Sequence, residues 1–241
     1  MKIVIVDSRI GYEAERRLRL LGFNVLTLPP FSKLSEAVAS HTDMLLCRVN
    51  NEFVSYADYC EEASYVFSDL SLFTVGMGLR FTFTADEVAP EYPSDVALNT
   101  LVMGKRMFCR KESASSALIA LAERNGYEIV NVKQGYPACT VLKLSDDAAI
   151  TADKGMAKIL TEHGIRVTLI EQGGISLPPH EYGFIGGAGS VHKGNLYLFG
   201  DVSTHPDGDK IIEAAATEGL KVTSLCSGML RDLGGMLFID D

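Results

Sequence analysis

The sequence predicts an α/β fold built from five similar units, each made of two strands, a helix and a third strand. Three observations support this prediction. A helical pattern that ends at glycine and continues into a short strand pattern recurs five times, and strand–turn–strand patterns precede most of these helices. The sequence also opens with an apolar strand pattern, MKIVIVD, and closes with another, GGMLFID. A two-domain doubly wound fold is the alternative, but no G-x-G-x-x-G motif follows the first strand.

The junctions between helix and strand carry the repeat most clearly. Glycine adopts the left-handed backbone conformation that ends many helices, and the alternation of apolar and polar residues that follows is typical of a half-buried strand. The second junction is the least regular, because SDLSLFTVGMG is a poor helix former. The five junctions are RLRLLGFNVLTL at Gly22, LFTVGMGLRFTF at Gly78, ALAERNGYEIVNV at Gly126, ILTEHGIRVTLI at Gly164 and AAATEGLKVTSL at Gly219.

Paired strands are predicted ahead of the later helices, each pair joined by a polar turn. The segments are DMLLCRVNNEFVSYAD, DVALNTLVMGKRMFCR, CTVLKLSDDAAITAD and GSVHKGNLYLFGD. The first unit has a single strand at residues 1–7, so GGMLFID is the expected partner. This pairing would remove two exposed sheet edges and close the units into a ring of five blades around an axis. The sequence therefore predicts a five-fold β/α-propeller, as one domain over residues 1–241.

The composition disfavours several classes of binding partner and indicates a cellular compartment. The formal net charge is −9 and the 22 Lys and Arg residues are scattered, which disfavours binding to nucleic acid. No segment approaches a membrane span and the first residues do not form a signal-sequence pattern, so we expect a cytoplasmic protein that does not bind membranes. The five cysteines show no C-x-x-C spacing and no nearby histidine cluster, so neither disulfides nor a metal site is expected. The glycine-rich GFIGGAGSVHKGN lacks the Lys-Ser/Thr of a phosphate-binding loop, and no cofactor is expected.

A ring of five such units resembles the pentein superfamily, which includes arginine deiminases, amidinotransferases, dimethylarginine hydrolases and a ribosome anti-association initiation factor. The resemblance covers essentially the whole chain as architecture. In addition, several segments are similar to those of an uncharacterised bacterial family within that superfamily. These segments are YPSDVALN, NVKQGY, ITADKG, GFIGGAG, HPDG and GG-L-F. The resemblance implies the fold and assigns no activity.

Matching the catalytic pentein motif onto this chain fills one of three roles. The catalytic members use a cysteine nucleophile after a glycine-rich turn in the final strand, a histidine at the start of a mid-chain strand, and carboxylates that hold the guanidinium group. Asp95 matches a carboxylate, but Pro137 occupies the histidine position and Leu237 or Phe238 the nucleophile position. The resemblance therefore implies that standard Cys–His guanidine chemistry is absent. Our leading hypothesis is binding of a small polar or cationic ligand, or of a protein partner, in or near the axial channel.

The alternative hypothesis is an enzyme with relocated catalytic residues, Cys139 and Asp95. If residues 137–139 form a strand, Cys139 projects on the same side as position 137 and faces the axis. Such an enzyme would be a hydrolase or transferase acting on a guanidine or amide substrate. A base within hydrogen-bond reach of the sulfur favours catalysis, whereas an apolar surround favours binding alone.

Seven further polar residues are candidates for ligand binding. Asn99 follows Asp95 by four residues and shares its face if both lie on one strand. Asp153 is equivalent in the repeat to Asp7, Asp58 and Asp201, and helix capping is its alternative role. For His205 the alternative is a structural role at a helix start in HPDG. For the candidates in NVKQGYPACT the alternative is a turn. The candidates are Asn99, Lys133, Gln134, Tyr136, Asp153, Lys154 and His205.

Overall fold

The computed structural model describes residues 2–240, so the two terminal residues of the predicted domain lie outside the described part. Its elements follow the chain as five α/β units. The first two units comprise β1 (Lys2–Asp7), α1 (Tyr12–Leu20), β2 (Asn24–Leu28), α2 (Thr42–Leu45), β3 (Cys47–Val49), β4 (Glu52–Tyr56), α3 (Ala57–Glu62), α4 (Ser64–Phe73) and β5 (Arg80–Thr84). The next two comprise β6 (Leu101–Met103), β7 (Arg106–Cys109), α5 (Ser116–Arg124), β8 (Glu128–Asn131), α6 (Pro137–Thr140), β9 (Val141–Lys143), β10 (Ala148–Thr151), α7 (Lys154–Glu162) and β11 (Arg166–Leu169). The remainder comprises β12 (Ile175–Ser176), β13 (Gly189–His192), β14 (Asn195–Leu198), a 3-10 turn (Val202–Thr204), α8 (Gly208–Thr217), β15 (Lys221–Ser224), β16 (Leu230–Arg231) and β17 (Leu237–Asp240).

Five three-stranded sheets share one topology. In each sheet a central strand pairs antiparallel with one neighbour and parallel with the other. The strand orders are β17-β1-β2, β3-β4-β5, β6-β7-β8, β9-β10-β11 and β13-β14-β15. The short strands β12 and β16 pair parallel with each other in a sixth sheet.

The first sheet joins strands from opposite ends of the described chain. β17 lies antiparallel to β1, with Lys2 opposite Asp240 and Ile5 opposite Leu237. This is the pairing that the sequence predicts for its two apolar end segments. Ile3 and Ile239, which face each other in this pair, are both buried, so the pairing contributes to the hydrophobic core.

Four of the five predicted glycine junctions follow a helix end, each one residue after the C-cap. The exception is the second, because α4 ends at Phe73, five residues before Gly78. Gly126 has a φ of 72° just after α5, and the following backbone turns into β8. Leu118, Leu121 and Ala122 form the buried face of α5 and pack into the core. None of the helices in residues 2–240 combines the length and the apolar character needed to cross a membrane.

One strand from each of the five three-stranded sheets lines a single cavity of about 510 Å³, here called the central cavity. These are β3, β6, β9, β13 and β17, the strands that pair antiparallel with the centre of their sheet. The segments that lead into these strands, including Asp43, Ala138 and Gly234, also contribute to the lining. Polar residues just ahead of the lining strands are therefore placed close to the inner end of this cavity.

Candidate functional site

Cys139 lies in the one-turn helix α6, immediately before β9. Residues 137–139 do not form the strand that was considered from the sequence. Pro137 stands at the start of the turn, where its fixed φ favours helix, and the Thr140 N–H donates to the Tyr136 carbonyl at 2.9 Å. The direction of the Cys139 side chain is therefore set by a helical turn and not by a strand. Cys139 is buried, with 3% of its surface exposed.

The sulfur of Cys139 has polar neighbours. Its thiol donates to Asp43 Oδ2 at 2.8 Å, and Asn99 Nδ2 donates to the sulfur at 3.0 Å. Asn99 Oδ1 accepts from the Ala138 N–H at 2.9 Å, which fixes the amide against α6. The surround of Cys139 is polar, with a carboxylate within hydrogen-bond reach, but Cys139 itself is not among the residues that line the central cavity.

Asp43 is the carboxylate at Cys139, and it is not among the site residues predicted from the sequence. It lies in α2, ahead of β3, and lines the central cavity. Its Oδ1 is buried and has no hydrogen-bond partner within the described chain. Burial raises the pKa of Asp43 to about 6, against the opposing effect of the hydrogen bonds from Cys139 and Asn99.

His41 lies beside this pair and is fully buried. Neither ring nitrogen has a hydrogen-bond partner among the described residues. Nδ1 is 3.8 Å from Asp232 Oδ1 and Nε2 is 3.9 Å from Asp7 Oδ2. Burial lowers the pKa of His41 in spite of these two carboxylates, which favours the neutral imidazole.

Asp232 and Asp7 complete the buried polar groups around His41. Asp232 accepts from the N–H groups of Phe184 at 2.8 Å and Gly234 at 3.2 Å, and burial raises its pKa to about 6. Asp7 forms an ion pair with Arg9 at 2.6 Å. The repeat suggested a helix cap for Asp7, but α1 follows Gly11 and has no side-chain cap, so that interpretation was wrong.

The central cluster comprises five residues: His41, Asp43, Asn99, Cys139 and Asp232. Burial, together with the nearby charges of Asp43 and Asp232, raises the pKa of Cys139 well above its usual value. The thiol is therefore protonated in this environment. A reaction at the sulfur requires that its proton pass to a neighbour or that positive charge be added nearby.

Asp95 is buried but does not form the predicted pair with Cys139. Its Oδ2 accepts from the hydroxyl of Tyr136 at 2.7 Å, and burial raises its pKa. Asp95 and Asn99 precede β6 rather than lying on a strand, because the backbone forms turns here: Ser94 N–H donates to Glu91, and Asn99 N–H to Val96. Both side chains nevertheless contact the segment 136–139, through Tyr136 and Cys139 respectively.

The remaining candidates lie outside the central cluster. Gln134 donates to Asp153 Oδ2 at 2.7 Å, while Asp153 Oδ1 accepts from the Met156 N–H at 2.9 Å and caps α7. With Lys154, which is exposed, these residues line a second cavity of about 580 Å³. The side chain of Lys133 is exposed.

His205 is buried just before α8 and has a local partner. Its Nδ1 accepts from the Asp207 N–H at 3.0 Å, and Asp207 occupies the cap position of the helix. This contact agrees with the alternative reading of HPDG as a helix start. Asp207 in turn accepts from the Glu171 N–H, so His205 belongs to the packing of this helix end.

The chain shares its fold with enzymes of the pentein superfamily. SxtG, an amidinotransferase from Microseira wollei, superposes with a TM-score of 0.55 and 15% identity, covering 89% of this chain and 73% of SxtG. DDAH from Pseudomonas aeruginosa gives a TM-score of 0.55 at 11% identity, covering 92% and 90% of the two chains. The agmatine deiminase of C. jejuni gives 0.53 at 10% identity, covering 92% and 87%. At these identities the likeness establishes the fold alone.

Sequence comparison assigns the chain to a family. No curated protein sequence matches it. Residues 5–237 match the model of a family of unknown function, DUF6873, and this match spans nearly the whole chain. The chain is therefore a member of the DUF6873 family, with the fold of the pentein superfamily.

Proposed function

We propose that this protein binds a small polar ligand in the central cavity, with the five sheets arranged around it as the blades of a five-fold β/α-propeller. The observation that carries the proposal is the lining of the cavity. One strand from each of the five three-stranded sheets lines the cavity, and Asp43 of the central cluster lies at the inner end of the cavity. Its volume of about 510 Å³ lies in the range that is typical of small-molecule sites.

Charged side chains in the lining indicate the kind of ligand. Arg48 projects from β3 into the cavity wall, where its guanidinium donates to the carbonyls of Asn50 at 2.8 Å and Phe238 at 3.0 Å. No carboxylate of residues 2–240 forms an ion pair with Arg48, whereas Lys143 is paired with Asp146. Arg48 is therefore free to attract an anionic group on a ligand.

The inner end of the cavity suits a different group. Asp43 lines this end and has a buried Oδ1 with no hydrogen-bond partner among residues 2–240. Asn99 lies behind it, with its amide bound to the Ala138 N–H and to the sulfur of Cys139. We infer a ligand with a carboxylate directed toward Arg48 and an amide or guanidine group directed toward Asp43. Two proteins of similar fold support trying this class, because one was crystallised with citrulline and another is an agmatine deiminase.

Titration of metal-free protein with L-arginine, L-citrulline and agmatine tests this proposal by calorimetry. Arginine and agmatine differ only in the carboxylate, so Arg48→Met should weaken arginine and citrulline while leaving agmatine unchanged. A hydrogen bond to a charged group contributes about 1.5–3 kcal/mol, which corresponds to roughly 10–100-fold in affinity. Arg80→Met, at an exposed arginine outside the cavity lining, is the matched control. Equal weakening of all three ligands by Arg48→Met, or no binding of any, contradicts the proposal.

A second candidate function is hydrolysis or group transfer on such a ligand, and the hydrogen bond from Cys139 to Asp43 favours it. In this reaction the thiol proton passes to Asp43 as the sulfur bonds to the guanidine or amide carbon. The proton then passes to the leaving nitrogen as the carbon–nitrogen bond breaks, which leaves the carbon bonded to sulfur. Water, or an acceptor amine in group transfer, then attacks this carbon. Its proton passes to Asp43 and from there to the sulfur as the carbon–sulfur bond breaks, which restores the thiol. The raised pKa of Asp43 makes its carboxylate a stronger base than an ordinary aspartate.

We expect ammonia release from arginine or agmatine to require Cys139. Cys139→Ala should lower turnover by several orders of magnitude, because nucleophile removal leaves only binding and electrostatic contributions. Cys226→Ala, at a half-buried cysteine outside the central cluster, should retain turnover. The assay measures free ammonia against time. If the wild type releases no ammonia, hydrolysis of these substrates is refuted; if Cys139→Ala is as active as the wild type, Cys139 is not the nucleophile.

A further inference from the structure

We propose that His41, Asp43 and Cys139 form a binding site for a divalent transition-metal ion of the zinc class, at the inner end of the central cavity. This inference goes beyond the ligand proposed above and stands on different observations. It concerns the donor atoms of the central cluster, whereas the ligand proposal is anchored at Arg48.

The geometry of the three donors suits a metal. One imidazole nitrogen, one carboxylate oxygen and the thiol sulfur all lie within 4.8 Å of one another. Bonds to zinc of about 2.0–2.3 Å in a tetrahedral site place ligand atoms roughly 3.5 Å apart. The donors therefore need to shift by about 1 Å, which side-chain rotation can supply. A mixture of nitrogen, oxygen and thiolate ligands favours zinc over magnesium or calcium.

The second observation is that two of the three donors carry buried atoms without a partner. His41 is 0% exposed, and neither ring nitrogen has a hydrogen bond within residues 2–240. Asp43 Oδ1 is buried and has no hydrogen-bond partner in the same part of the chain. Buried polar atoms are almost always satisfied, and exceptions commonly mark a missing ion or water. A metal bound by His41 and Asp43 would satisfy both residues at once.

The negative charges around His41 also favour a bound cation. Three carboxylates, those of Asp7, Asp43 and Asp232, are gathered around His41, and Arg9 is bound to Asp7. Within residues 2–240, neither Asp43 nor Asp232 forms an ion pair with a lysine or arginine, and the neighbouring thiol would add a further negative charge on ionisation. A divalent ion would compensate Asp43 and the thiolate of Cys139 together.

The surroundings of the three donors resemble the outer shell of known metal sites. A ligating imidazole usually donates its other N–H to a carboxylate, and whichever nitrogen of His41 is used, Asp7 or Asp232 lies just under 4 Å from the other. Asn99 donates to the sulfur of Cys139. Three protein ligands leave a fourth position for water or a ligand, and Asp43 faces the central cavity from which either would enter.

Cobalt(II) titration of chelator-stripped protein tests the site, because cobalt reports thiolate ligation spectroscopically. We expect one Co²⁺ per chain, a sulfur-to-cobalt charge-transfer band in the near ultraviolet, and displacement of the band by Zn²⁺. Cys139→Ser should abolish the band. Asp232→Asn, as an orienting neighbour of His41, should weaken Co²⁺ binding by about 10–100-fold without removing the band. Cys226→Ser is the matched control and should behave as the wild type.

Two results would overturn the metal site. One is a folded wild-type protein, checked by circular dichroism, that binds no Co²⁺ at unit stoichiometry or shows no charge-transfer band. The other is a band that survives Cys139→Ser or is lost in Cys226→Ser. The wild-type spectrum alone tests the proposed metal site, even if a variant does not fold. Because no organic ligand is added, failure here is distinct from failure of the arginine and agmatine titrations.

Discussion

Replacing Gly186 with alanine is expected to destabilise the protein by about 3 kcal/mol or more. A Cβ at this position would lie 2.2 Å from the Ala138 carbonyl oxygen and 2.5 Å from that of Cys139. Both atoms belong to the backbone of α6, so no side-chain rotation can relieve the overlap. Any relief must move the backbone, either at residue 186 or in the helix that carries Cys139. Chemical denaturation measures the loss of stability, and the rate of thiol labelling at Cys139 measures the displacement.

Gly155→Ala is the matched control for this experiment. Gly155 is exposed in the first turn of α7, and a Cβ there would meet only the carboxylate of Asp153 at 3.1 Å. Alanine favours helix by up to about 1 kcal/mol over glycine, so the stability should change by no more than that. If Gly186→Ala proves as stable as Gly155→Ala, the close packing of Gly186 against α6 is refuted.

The stability of the protein should depend on pH through Asp232. Its pKa is raised from 3.8 to about 6 by burial, so the folded chain holds this proton at a pH where the unfolded chain has released it. The folded state therefore loses stability relative to the unfolded state as pH rises from about 4 to above 6. At 1.36 kcal/mol per pH unit, the full effect is about 3 kcal/mol.

Asp232→Asn removes this titrating carboxyl group. Comparison of the variant with the wild type therefore isolates its contribution to the pH dependence of stability. We expect the free energy of unfolding of the variant, relative to the wild type, to increase by up to about 3 kcal/mol between pH 4 and pH 7. Urea denaturation at several pH values measures the difference. Asp69→Asn, on the exposed surface of α4, is the matched control for replacing an aspartate with asparagine. A difference between Asp232→Asn and the wild type that stays constant with pH would contradict the raised pKa of Asp232.

The units of the fold could be predicted from sequence because their signals are local. A helix that ends at glycine is encoded within about a dozen residues, as at Gly126, where the backbone turns from α5 into β8. The short helix α6 was missed because four residues are too few for a helical period to appear. Pro137 is compatible with a strand start as well as with a helix start, so it did not decide between them.

The central cluster was only partly predictable. Cys139 and Asn99 were selected, but their partner Asp43 was not, although it precedes the first lining strand of its unit as Asp95 and Cys139 precede theirs. That equivalence in the repeat is the signal that would have found it. The approach of His41 to Asp232 depends on how distant segments pack, and no spacing along the chain records it.

The pairing of β1 with β17 bears on how quickly the chain can reach this structure. Lys2 faces Asp240, so the contact spans almost the entire described sequence, whereas the other four three-stranded sheets each join neighbouring segments. Closing so long a loop carries a large entropic cost and delays the contact in folding. During synthesis, β1 and β2 keep one open edge until β17 has left the ribosome. A chaperone that shields strand edges would therefore be expected to act longest on this sheet.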